Sequence, residues 1–161
     1  MTATVSIIIG SDSDMNLAKK CSETLDSLSI DNSINVYSAH RSPELVAEHL
    51  KACEEGGTKV FIAMAGLAAH LAGAVASKTV KPVIGVPGDG GPIQGFDSLL
   101  STVQMPKGVP VATVAIGSAG AVNSAILAAQ MISLSSPEVE QSLKKQREDS
   151  VKSIEQINKD L

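Results

Sequence analysis

The chain of 161 residues holds only three histidines, His40, His49 and His70, and the first is followed directly by Arg41. Imidazole changes charge near neutral pH, so His40 is the best-suited group for taking and giving a proton. A guanidinium beside it presents a planar fork of donors that suits a phosphate or a carboxylate. The ordinary alternatives are a structural hydrogen-bonding imidazole at 40 and a surface ion pair at 41. His49 follows Leu45 and Val46 at helical spacing and reads as packing. His70 opens an alanine-rich stretch, where it either lines a pocket or is a structural histidine. No two histidines stand at metal-ligand spacing with a carboxylate, so no metal site is expected.

A second polar group is Gly10-Ser11-Asp12-Ser13-Asp14. Bare backbone N–H groups ahead of a helix favour an anion, and the Ser11 hydroxyl adds a donor. An ordinary turn capped by Ser or Asp explains the same residues. An ionised Asp14 accepts hydrogen bonds only, which suits ribose hydroxyls. It also suits a helix N-cap, and one residue can serve both purposes.

These groups share a position once the elements are read. Residues 5–9 form a short apolar run stopped by Gly10, a buried strand. Residues 14–28 place Leu17, Ala18, Cys21, Leu25 and Leu28 on one helical face. Residues 34–38 read as a second strand. Ser42-Pro43 then starts a helix carrying Leu45, Val46, His49, Leu50 and Cys53, closed by Gly56-Gly57. Strands are predicted over 59–65, 82–86 and 110–116, and helices over 67–78 and 119–133. The last of these turns Val122, Ala125, Ile126, Ala129 and Ile132 inward. Alternating strands and helices imply a doubly wound, three-layer α/β/α fold around a parallel sheet, flavodoxin-like, with ligands at the carboxyl ends of the strands. Gly10–Asp14, Ser38-Ala39-His40-Arg41, Gly66-Leu67-Ala68-Ala69-His70-Leu71 and Gly88-Asp89-Gly90-Gly91-Pro92 then converge on one edge. Residues 1–161 read as one domain, an α/β core over 1–134 with an extra C-terminal helix over 135–161. That helix bears a sparse apolar stripe of Val139, Leu143, Val151, Ile154 and Ile157.

Composition narrows the function classes. The net charge of −4 argues against a nucleic-acid partner, which calls for a basic stripe. Aromatic residues amount to 2%, too few for a base-stacking platform. No apolar run approaches the ~18 residues of a membrane span. The opening MTATVSIIIG lacks the basic region and the apolar length of a secretion signal, so a cytoplasmic location is expected. Cys21 and Cys53 read as small core residues without a disulfide framework.

The polar segments resemble those of the PurE family, the N5-carboxyaminoimidazole ribonucleotide mutases, also known as the catalytic subunit of phosphoribosylaminoimidazole carboxylase. The resemblance rests on GSDSD from Gly10, SAHRSP from Ser38, AGLAAHL from Ala65 and DSLLSTVQMPKGVPV from Asp97, in order over nearly the whole chain. It implies a homo-octamer of flavodoxin-like subunits with active sites near subunit contacts, in de novo purine biosynthesis. It implies that His40 is catalytic and that Gly10, Ser11, Asp12, Asp14, Ser38, Ala39 and Arg41 bind the ribonucleotide. Gly66, Ala68, His70 and Leu71 would line the pocket around the imidazole and the migrating CO2. Leu67 and Ala72 stand where the family's usual GGAAHLPG has a glycine and a proline, and residues 88–92 also depart. Arg41 after His40, with His70 in the third segment, resembles the mutase form. The form that carboxylates the aminoimidazole directly with CO2 usually has a lysine after that histidine. No cofactor is implied.

Two binding modules on the same fold fit poorly. A phosphoacceptor signalling domain needs an aspartate ending strand three and a lysine after strand five. Those places hold Ala65-Gly66 and Ile116-Gly117-Ser118. A flavin carrier needs a loop Trp or Tyr to stack on the ring, and no suitable one exists.

Overall fold

The computed structural model describes residues 3–161. Five strands, β1 (Val5–Ile9), β2 (Asn32–Val36), β3 (Val60–Ala65), β4 (Val83–Pro87) and β5 (Ala112–Thr113), pair in parallel in the order β2-β1-β3-β4-β5. That is the flavodoxin order, with a switch point beside β1. Successive strand residues point to opposite faces. Ile7, Ile9, Ile62 and Met64 meet Ala18, Cys21 and Leu25 of α1 (Met15–Ser27) and Ala121, Ala125 and Ala128 of α5 (Gly117–Ser133). Ile8, Phe61 and Ala63 meet Val46, Leu50 and Cys53 of α2 (Pro43–Glu55) and Leu71, Ala72 and Val75 of α3 (Leu71–Ala76). Both faces of the central strands are therefore covered, which is why they read as nearly continuous apolar runs, with Ser6 of β1 as the polar exception.

Several boundaries differ from those predicted. β2 ends at Val36, two residues early, because the chain turns there and Ser38 enters a loop held by Ser42 N–H donating to Ser38 O at 2.9 Å. The helix predicted over 67–78 shrinks to α3. Leu67 has a φ of +54°, and Ala69 N donates to Ser101 Oγ at 3.0 Å, so residues 67–69 are drawn out of helical geometry. β5 is only two residues long, at the sheet edge. Leu45 is 49% exposed rather than inward. Val122 and Ile126 are only partly buried, and Gly120, Ser124 and Ala128 take core positions.

A helix outside those predicted, α4 (Phe96–Val103), lies over β4. It is inverted: Ser98 and Thr102 face inward at 0% and 2% exposure, and Phe96, Leu100 and Val103 face outward at 59%, 47% and 45%. The buried hydroxyls satisfy themselves locally. Ser98 Oγ donates to Gly88 O at 2.5 Å, and Thr102 Oγ1 to Ser98 O at 2.7 Å. The close approach needs Gly85, since a Cβ there would collide with Thr102 Cγ2.

The final helix, α6 (Pro137–Asp160), buries Val139 and Leu143 against α5, whereas Val151, Ile154 and Ile157 remain exposed. Among the described residues no helix is long and apolar enough to cross a membrane.

His49 illustrates a packed histidine. Its Nε2 lies 2.9 Å from Ser6 Oγ on β1 and 3.4 Å from Cys53 Sγ, and its ring lies 4.8 Å from that of Tyr37. Burial pushes its pKa below the ordinary histidine range. Above the unfolded value of about 6.5 the ring is neutral in both states, and its contribution to stability is complete. As pH falls below that value the unfolded chain takes up a proton that the folded chain resists, so stability falls until the folded pKa is reached. Thermal melts from about pH 7.5 to about pH 5 should therefore be less pH-dependent in His49→Gln, with kcat within a few-fold of the unmodified protein. An identical slope would contradict this role.

Candidate active site

A cleft of about 780 Å³ opens at the carboxyl edge of the sheet, within the usual size of a small-molecule site. Gly10, Ser11 and Asp14 come from the end of β1, Ser38, Ala39, His40 and Arg41 from the loop after β2, and Gly66, Ala68, His70 and Leu71 from the segment after β3. Asp12 does not line it; it accepts from Ser11 Oγ at 3.0 Å on the exposed side of the turn.

The loop after β2 is braced from within. Ser38 N donates to Ser42 Oγ at 3.1 Å, and Arg41 N donates to Ser38 Oγ at 3.2 Å. Ser42 is the N-cap residue of α2, but its side chain makes no capping bond because it serves this loop instead. Pro43 in the first turn needs no hydrogen-bond partner for a missing N–H. The bracing sets His40 and Arg41 at the mouth of the cleft. Arg41 Nη2 donates to Gly10 O at 2.8 Å, tying the two loops together. Among the described residues Arg41 enters none of the ion pairs, so the surface-pair alternative is not realised.

His40 and His70 meet. Nε2 of His40 lies 2.7 Å from Nδ1 of His70, with the rings edge to face at a centroid distance of 4.8 Å. Two ring nitrogens that close must share one proton, one donating and the other accepting. The contact therefore couples the tautomer of each ring to that of the other. His70 is the N-cap residue of α3 and uses no side-chain atom for capping, which leaves its ring for His40.

Asp14 closes a 3-10 turn over Asp12–Asp14 and precedes α1, again without a side-chain capping bond. Burial raises its pKa, a hydrogen bond at the Ser11 backbone lowers it, and the Asp12 charge raises it. Ala39, Ala65, Leu67, Ala68 and Leu71 make the wall near the two imidazoles largely apolar. Among the described residues no group of three His, Cys, Asp or Glu side chains is placed to hold a metal ion.

Some residues that shape the site escaped sequence reasoning. Asn16 lines the cleft two residues past Asp14. Asp89, which the sequence already placed at this edge, lines the cleft from the loop after β4, with its carboxylate turned toward the start of α5, where the helix dipole favours it. Ser101 on α4 holds the Leu67–Ala69 segment. Gly95 followed by Phe96, Leu99, Leu100 and Val103 at helical spacing was the available signal for that helix.

A family model described as AIR carboxylase matches residues 4–153. A relative from Pyrococcus abyssi, called N5-carboxyaminoimidazole ribonucleotide mutase, is 50% identical over 145 residues, covering 90% of this chain and 82% of its own. One from Pseudomonas aeruginosa with the same description is 46% identical over 154 residues, covering 96% and 94%. Among solved structures, PurE of Treponema denticola superposes with a TM-score of 0.89 at 31% identity, covering 98% of this chain and 97% of that one.

Proposed function

This chain belongs to the AIR carboxylase family, and we infer that it acts as an N5-carboxyaminoimidazole ribonucleotide mutase of purine biosynthesis, moving a carboxylate from the exocyclic nitrogen to ring carbon C4. The observation that carries the residue-level reading is the His40–His70 contact beside an apolar wall, with Arg41 at the same mouth.

The chemistry follows from what each group can do. Arg41 spends one N–H on Gly10 O and has four left for the phosphate, joined by the Ser11 hydroxyl and the backbone N–H groups of that turn. Asp14 accepts from ribose hydroxyls. Protonation of the carbamate nitrogen breaks the N–C bond and frees CO2. The electron-rich C4 then attacks CO2, forming the C–C bond, and loses its proton to restore the aromatic ring. One proton enters at nitrogen and one leaves carbon, so a single imidazole, His40, closes the balance. His70 fixes the tautomer from which His40 starts. The apolar wall keeps water from competing. No step calls for ATP, biotin or a metal. Turnover of the N-carboxylated ribonucleotide in chelator, without ATP, tests this; inhibition by the chelator would overturn it.

The subunits assemble, in this reading, into a homo-octamer in the cytoplasm, a location that suits the two free cysteines. Support comes from α4, whose outward Phe96, Leu100 and Val103 reverse the usual burial pattern, and from the uncovered stripe on α6. Exposed apolar stripes of this kind mark contact surfaces. Light scattering at micromolar concentration should give an oligomer, and Leu100→Asp should shift it to smaller species. A monomeric unmodified protein would contradict the assembly.

A further inference from the structure

Leu67 is an unusual residue for its place. Its φ of +54° lies in the left-handed region, which a leucine rarely adopts. The backbone has no freedom to leave it. Ala69 N donates to Ser101 Oγ at 3.0 Å, Ser101 Oγ lies 3.4 Å from Leu67 O, and Gly88 N donates to Ala65 O at 2.8 Å. Glycine would take this conformation without strain. Core packing does not explain the leucine either, because it is 55% exposed. Its side chain lines the cleft and lies against Gly91: a Cβ on Gly91 would stand 2.7 Å from Leu67 Cδ2. Leu67 and the loop after β4 thus close on each other across the cleft, and the contact depends on a bare backbone at 91.

A strained side chain that is neither buried nor required by its backbone points to function. We propose that Leu67, seated on Gly91, is the wall that retains CO2 between its release from nitrogen and its capture by carbon. The proposal rests on the mutase reading. CO2 has no net dipole and is held poorly by water-filled polar space, so an apolar side chain over the cleft favours capture by C4 over escape. Escape leaves free aminoimidazole ribonucleotide and CO2 in solution.

The test is a partition measurement. Substrate labelled with 13C at the N-carboxylate is turned over in unlabelled bicarbonate, and both the label kept at C4 and the free aminoimidazole ribonucleotide are measured. Leu67→Gly should release several-fold more of the free ribonucleotide and lose label in proportion, with a melting temperature equal to or above that of the unmodified protein. Leu67→Met should keep retention near that of the unmodified protein. A purely structural role would lower the rate and leave the partition unchanged. A folded Leu67→Gly that keeps label as the unmodified protein does overturns the proposal. Failure of the unmodified protein to isomerise the substrate would instead count against the mutase reading.

Discussion

His40→Asn is expected to lower kcat by about 10²–10⁴-fold, the usual worth of one positioned acid–base group. Asparagine keeps a similar size and one hydrogen-bonding edge toward His70, but cannot carry a proton between nitrogen and carbon. Substrate affinity should stay near normal, because the contacts proposed for phosphate and ribose lie on other residues. The 2.7 Å contact between His40 and His70 makes the comparison sharper. His70→Asn leaves a proton carrier but removes the partner that sets its tautomer. A hydrogen bond to a group that becomes charged is worth about 1.5–3 kcal/mol, so kcat should fall about tenfold to a hundredfold. His49→Asn lies behind the sheet edge against Ser6 and should change kcat only a few-fold. Circular dichroism establishes that each variant folds. A folded His40→Asn enzyme with near-normal kcat would remove the proposed chemistry and leave the fold and family intact.

Arg41→Ala should act on binding. One charge-assisted phosphate contact is worth about 1.5–3 kcal/mol, so KM should rise about tenfold or more. The variant also loses the 2.8 Å tie from Nη2 to Gly10 O, so the loops after β1 and β2 lose their common anchor. Arg41→Lys keeps the charge but not the fork. An ammonium cannot hold Gly10 O and a phosphate in the same geometry, so KM should fall between the two. An unchanged KM in Arg41→Ala would mean that the guanidinium serves only as a brace between loops.

The distribution of what was legible in the sequence follows from its physics. The central strands are buried on both faces, and their apolar runs bounded by glycine or polar residues located β1, β3 and β4 almost to the residue. A parallel sheet in turn forces every strand's carboxyl end to one edge, so the order of the elements alone places the cleft there. The same logic brought Gly10, Ser38, His40, Arg41 and His70 together. Local geometry set by distant partners was not legible. Leu67–Ala69 looks helical by composition, yet Ser101, over thirty positions away, holds it in another conformation. α4 carries Phe96, Leu99, Leu100 and Val103 at helical spacing, but nothing in that spacing tells that the helix buries its hydroxyls and turns most of this apolar face outward. The His40–His70 contact joins two loops and has no signature in spacing at all. α6 reads as one sparse apolar stripe, but only Val139 and Leu143, near its start, are buried within this chain.

The most direct test gives the purified protein a choice of substrate. One reaction supplies the N-carboxylated aminoimidazole ribonucleotide, and the other supplies the unmodified aminoimidazole ribonucleotide with bicarbonate and CO2. ATP and metal are absent from both. The predicted result is rapid formation of the C4-carboxylated isomer from the first, with a far higher kcat/KM than in the second. Efficient turnover of the unmodified ribonucleotide alone would contradict the mutase assignment and make the chain a direct carboxylase.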